Sequence, residues 1–187
     1  MTTLKILALT AGSAFLSSGS FSDIRCSNSN TSGREAFIQN ASVVQPAVTS
    51  KDNKIQVALL LDTSNSMDGL IDQAKSRLWN IVNTLTTLKY NGQTPQVEIA
   101  LYEYGNDGIR DENYIRQVTP LTQDLDLVSE KLFALRTNGG SEYCGAVIRD
   151  ASMNLNWDGN EKSMKLIYIA GNEPFDQGKV NYKEVIS

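Results

Sequence analysis

The sequence predicts an α/β fold: a doubly wound, mostly parallel central sheet with helices on both faces. Three observations lead there. Residues 55–61 and 166–170 are short apolar runs rich in branched side chains, the signature of strands buried on both faces. Between them lie longer stretches whose apolar residues recur every three or four positions, the signature of amphipathic helices. These signals follow one another as strand, helix, strand, strand, helix, helix, strand, an order that suits an open sheet covered by helices.

Each element has its own justification. After the strand at 55–61, Leu70, Ile71, Ala74, Leu78, Ile81, Val82, Leu85 and Leu88 form one apolar stripe on a long helix that Asn91-Gly92 can stop. Val97, Ile99 and Leu101 alternate with Glu98, Ala100 and Tyr102 as a second strand, and residues 105–108 read as a turn. Residues 114–118 make a weaker third strand near a sheet edge. Asp124 can cap a helix carrying Leu125, Val128, Leu132 and Leu135. Beyond the loop at 137–140, Cys144, Val147, Ile148, Ala151 and Leu155 share a face of another helix. Asn181 followed by Glu184 resembles a capping box for a helix that the sequence does not continue, so the domain is expected to be truncated at its C-terminal end.

At 187 residues the chain has room for one sizeable core plus an irregular segment. Residues 1–21 have the order of an export leader: one charge, a mostly apolar run too short to span a bilayer, then small residues. Residues 22–52 are rich in Ser, Asn and Thr and read as a linker, which leaves 53–187 as the folded domain. An exported protein, periplasmic, secreted or at the cell surface, is therefore expected. The formal net charge is −4 and no basic cluster stands out, which argues against nucleic acid as a partner.

Histidine is absent, which removes Ser-His-Asp and Cys-His catalysis and any histidine zinc site. Two cysteines, Cys26 and Cys144, are too few for a thiolate zinc site or a disulfide framework, and two free thiols are the expectation. Cys144 reads as buried, and Trp79 and Trp157 as packing residues.

The residues that carry chemistry are Asp62, Ser64 and Ser66. They alternate on the loop that leaves the first buried strand, at the carboxyl end where open α/β sheets bind ligands. A carboxylate and two hydroxyls suit a hard divalent cation, and they leave it under-neutralised and attractive to an outside carboxylate. Helix capping alone needs one such residue, not three.

Asp62-Thr63-Ser64-Asn65-Ser66 resembles the Asp-x-Ser-x-Ser motif of von Willebrand factor A (VWA) domains, and its setting between an apolar strand and an amphipathic helix is also similar to theirs. The resemblance runs from about Lys54 to the chain end. It implies a doubly wound sheet with a metal-ion-dependent adhesion site at its top, where the serines bind the cation directly and the aspartate often acts through water. It also implies a second loop with a threonine or aspartate after a glycine pair. Here Ser141 matches the threonine form and Glu142 the aspartate form, with capping and helix-dipole roles as the alternative for each. A third loop should bring an aspartate just after the fourth main strand. This chain has Gly171 there, followed by Asn172 and Glu173, which read first as a solvated loop.

The expected function is a metal-dependent protein-binding module, for adhesion or assembly, holding Mg²⁺ (Mn²⁺ and Ca²⁺ as alternatives) and docking a partner carboxylate. Two other readings are a metal-assisted hydrolase and a structural domain with a degenerate site. An enzyme is the weaker reading, for want of a clear general base.

Overall fold

The computed structural model describes residues 5–10, 53–89 and 92–185. Five strands form one sheet in the order β1-β5-β2-β3-β4, with β1 at Lys5–Thr10, β2 at Lys54–Asp62, β3 at Gln96–Tyr104, β4 at Ile115–Thr122 and β5 at Met164–Gly171. All pairings are parallel except β3 with β4. The helices are α1 (Ile71–Thr87), α2 (Leu125–Ala134), α3 (Cys144–Asn154) and the short α4 (Tyr182–Val185).

Alternation along the central strands sorts the core into two layers. Val57, Leu59 and Leu61 of β2 face α1 and α2, where they meet Leu78, Val82, Val128 and Leu132. Ala58 and Leu60 face the opposite way, onto Val147, Ile148 and Ala151 of α3. A strand covered on both sides has to be apolar at every position, which is why β2 lacks the polar alternation of a half-exposed strand. Trp79 and Trp157 pack at the margins of the two layers, half-buried, and the Trp157 indole donates to the Ala151 carbonyl at 2.9 Å.

Polar residues close the ends of the elements. Asp124 caps α2 by accepting from the Leu127 amide at 3.0 Å, as its sequence position suggests. The far end of α2 is finished by a neighbouring helix. Lys75 of α1, 1% exposed, donates to the Leu135 carbonyl at 2.7 Å, so a cation sits at the negative end of α2. Burial lowers the Lys75 pKa, and nearby Asp72 works against that.

Four details depart from the sequence reading. The helix after the Asp62 loop starts at Ile71, behind a 3₁₀ turn at Asn65–Met67, because Gly69 takes a φ of +79° that ends the turn first. β4 runs on past its expected end to Thr122, with Pro120 inside it. Proline is tolerated there because β4 is an edge strand and needs no donor on its outer side. Neither Ser141 nor Glu142 caps α3, whose N-cap position is Tyr143 with no side-chain cap. Lastly, residues 5–10, read from sequence as part of an export leader, form β1, which pairs with β5 from Lys5↔Leu166 to Thr10↔Gly171 and supplies partners for its backbone groups. The rest of the expected leader and linker, and Cys26, lie outside the described residues.

The site is placed by topology. The chain steps from β2 to β3 on one side, and β5 adds on the other, so the strand order reverses at β2. Parallel register brings Asp62 opposite Tyr104 and Leu61 opposite Ala170. The carboxyl ends of β2, β3 and β5 therefore open onto one crevice, with Asp62 in the middle.

Candidate functional site

Asp62 is the last residue of β2 and has no exposed surface. Its Oδ1 accepts the Ser64 amide at 2.8 Å, a local turn that folds the loop back over the strand end. Its Oδ2 is buried and has no hydrogen-bond partner. Burial pushes the Asp62 carboxyl up to about 6. The Ser64 amide bond opposes that shift, and the charges of Glu142 and Glu173 add to it. A buried carboxylate oxygen left without a partner is costly, and it is the kind of group a cation satisfies.

The two serines stand beside it. Ser64 is buried and Ser66 exposed, and their hydroxyl oxygens lie 2.8 Å apart. The loop that carries them is tied down at Thr63, whose amide donates to the Tyr104 carbonyl at 2.9 Å and whose own carbonyl accepts the Asn138 amide at 2.9 Å. The Asp62 loop thus holds the second loop, at 137–140, against itself. The second loop closes tightly over β3: a side-chain carbon on Gly140 (φ +147°) would lie 2.3 Å from the Gly105 carbonyl oxygen, a distance only glycine avoids.

Glu142 lies beside the cluster. A carbon built on Gly105 would lie 3.0 Å from Asp62 Oδ1, 3.3 Å from Glu142 Cγ and 3.4 Å from Ser64 Cβ. These three side chains face one another across Gly105. Glu142 is nearly buried, and its amide donates to Gln177 Oε1 at 3.3 Å. No hydrogen bond joins Ser141 to Asp62, Ser64 or Ser66. Of the two second-loop candidates, the geometry favours Glu142.

The third loop contributes differently from expectation. Gly171 ends β5 hard against the site. A carbon there would lie 2.6 Å from Tyr104 Oη and 3.1 Å from Asp62 Oδ2. Asn172, read from sequence as part of a solvated loop, instead accepts the Ser66 hydroxyl at 2.9 Å. Tyr104 is fully buried beneath the site, with Cys144 Sγ 3.6 Å from its hydroxyl. Cys144 is free, and burial raises its thiol to about 11, which keeps it unreactive. The turn residues Asn106 and Asp107 join loops together: Asn106 Nδ2 donates to the Arg136 carbonyl at 3.0 Å and the Asp107 amide to the Gly139 carbonyl at 2.5 Å.

Among the described residues, no three His, Cys, Asp or Glu side chains gather as a metal cluster. The oxygens gathered here are the carboxyls of Asp62 and Glu142 and the two serine hydroxyls, a donor set for Mg²⁺ or a similar hard ion. No nucleophile paired with a base lies in the crevice among these residues.

No protein-family model matches the chain, and no curated protein matches it either. Among solved structures, it is similar to the vWF domain of the type V pili tip protein Mfa5 from Porphyromonas gingivalis, with 17% identity, a TM-score of 0.39 and coverage of 56% of this chain and 33% of that one. It is similar to the SpRpn10 VWA domain, with 16% identity, a TM-score of 0.49 and coverage of 66% and 62%. It is also similar to the pilus adhesin SpaC from Lactobacillus rhamnosus GG in its open conformation, with 17% identity, a TM-score of 0.48 and coverage of 62% and 14%. The chain thus spans less than two thirds of each of these structures. At these identities the likeness concerns fold alone.

Proposed function

We propose that this domain is a metal-dependent protein-binding module, serving adhesion or assembly, that docks an acidic side chain of a partner protein onto a divalent cation. Asp62, Ser64 and Ser66 would hold the ion, with Glu142 (or, less well placed, Ser141) contributing from the second loop. Mg²⁺ suits these donors best; Mn²⁺ and Ca²⁺ are the alternatives. The observation that carries the reading is Asp62 Oδ2, buried and unpartnered at the reversal point of the sheet, at the root of the loop that carries the paired Ser64 and Ser66 hydroxyls.

Charge decides what such an ion would bind. With Asp62 as the one charged ligand a dication keeps positive charge facing the crevice mouth, and with Glu142 added it still keeps open positions that an outside carboxylate can fill. A binding role follows more readily than an enzymatic one, because nothing near Asp62 is arranged as a general base for an attacking water. The hydrolase and degenerate-site readings become outcomes of the test.

That test is a Mg²⁺ titration followed by thermal shift. Wild type should gain stability with added ion, by about 2.7 kcal/mol when the ion is at 100 times its Kd, because the ion binds only the folded state. Ser64→Ala/Ser66→Ala should show no such gain. A double variant that responds like wild type would sink the metal reading. Metal-dependent turnover of a phosphoester panel would support the hydrolase instead.

Export is part of the same proposal. It rests on the order of residues 1–21 and on the absence, among the described residues, of a helix long and apolar enough to cross a membrane. Sequencing the mature N-terminus from cells is the check: a start near residue 22 is expected, and retention of Met1 on the exported protein would refute cleavage. Cleavage would also remove β1 and bare the edge of β5.

A further inference from the structure

A hydroxyl lends its lone pairs to a cation only when its proton is directed elsewhere. Ser66 sends its proton to Asn172 Oδ1, at 2.9 Å. Having one proton, Ser66 must then accept in its 2.8 Å contact with Ser64, whose hydroxyl is the donor. The protons run in one direction, from Ser64 to Ser66 to Asn172.

The Asn172 amide is oriented by contacts on its nitrogen side. Its Nδ2 donates to the Ser66 carbonyl at 3.4 Å and lies 3.5 Å from Glu173 Oε1. Turning the amide over would set its oxygen against those two acceptors and its N–H groups against the Ser66 proton. The loop thus locks an acceptor in place at the end of the hydroxyl chain, one residue beyond Gly171, where no side chain fits beside Tyr104.

We propose that Asn172 is the positioning residue of the cation site: it takes the Ser66 proton, aims both serine oxygens, and does so without adding charge. The proposal rests on the cation reading above. A neutral amide in the third loop leaves the ion less neutralised than a carboxylate would. The ion is then held more weakly by the protein alone and more strongly together with an anionic group from a partner.

The experiment titrates Mg²⁺ and Mn²⁺ into wild type, Asn172→Ala, Asn172→Asp and Ser64→Ala/Ser66→Ala. Thermal shift gives the stability of each metal-free protein, and the electron paramagnetic resonance signal of free Mn²⁺ gives occupancy. Asn172→Ala should melt like wild type without metal, since Asn172 lies partly exposed on a loop, yet bind Mn²⁺ about 10–100-fold more weakly. Asn172→Asp keeps the acceptor and adds a charge, so it should bind at least as tightly as wild type. If Asn172→Ala binds within about 2-fold of wild type while the serine variant has lost the ion, the positioning role falls and the cation reading stands. If Asn172→Ala loses metal-free stability with affinity unchanged, the role is structural and the proposal is overturned. If wild type takes up no Mn²⁺, the cation reading fails and this proposal with it.

Discussion

Asp62→Asn is expected to raise the melting temperature of the metal-free protein and, in the same variant, to abolish the rise that Mg²⁺ produces. The two signs have one cause. Asp62 has no exposed surface and one oxygen without a partner, so ionising it in the folded protein is unfavourable. Its carboxyl is pushed from 3.8 up to about 6, and two units at 1.36 kcal/mol each give about 3 kcal/mol of cost at neutral pH. Asparagine keeps the shape and an oxygen to accept the Ser64 amide, and it removes the charge that Glu142 and Glu173 repel. For a domain of this size, about 3 kcal/mol corresponds to a shift of roughly 10 °C. A cation neutralises the same charge in wild type and finds no carboxylate in the variant. Differential scanning calorimetry with EDTA and with excess Mg²⁺ separates the four cases. A variant less stable than wild type in EDTA would mean that Asp62 already has the partner it needs within the protein.

The arrangement shows why much of the fold was legible and where reading stopped. Element order from β2 to β5 followed from periodicity alone, because strands covered on both faces have to be apolar throughout and the helices above them need only one apolar stripe. Asp62, Ser64 and Ser66 stood out as candidates for a related reason: three oxygen side chains at a buried strand end have little structural use there. Edge behaviour was harder. The continuation of β4 through Pro120 depends on which side of the strand lacks a neighbour, a fact of sheet order and not of local sequence. The pairing of β1 with β5 joins residues some 160 positions apart, and nothing in residues 5–10 names that partner.

The third loop was misjudged for the same reason. Asn172 lies 106 positions from Ser66, and its role exists only once β2 and β5 are neighbours. Read locally, an asparagine between a glycine and a glutamate is a solvated turn residue. One signal was available: the last serine of an Asp-x-Ser-x-Ser loop needs an acceptor for its proton, and the third loop offered no aspartate at Gly171. In the second loop, sequence alone could not choose between Ser141 and Glu142, whereas the fold sets the Glu142 side chain near Asp62 across Gly105.

Gly171→Ala should cost about 2–3 kcal/mol in wild type and less than about 1 kcal/mol in a Tyr104→Phe background. The new methyl would lie 2.6 Å from Tyr104 Oη, with the Asp62 Oδ2 and Cβ atoms at 3.1 and 3.2 Å. Tyr104 cannot swing aside, because its ring is fully buried in the layer against α3, with Cys144 at its hydroxyl. Removing the hydroxyl forfeits only a weak sulfur contact at 3.6 Å, and the contacts with Asp62 that remain need shifts of a few tenths of an ångström. Urea denaturation of the four proteins gives the coupling energy, expected above about 1 kcal/mol, whereas additive costs would show that the two positions do not compete for space. The expected coupling accounts for the missing third-loop carboxylate in physical terms. An aspartate at 171 would meet the same hydroxyl as alanine and would also set a second negative charge beside a carboxylate that already lacks a partner. The Tyr104 hydroxyl fills the space a side chain at 171 would need, so the residue that reads as a loss in the third loop is the one that fits against Tyr104, the last residue of β3.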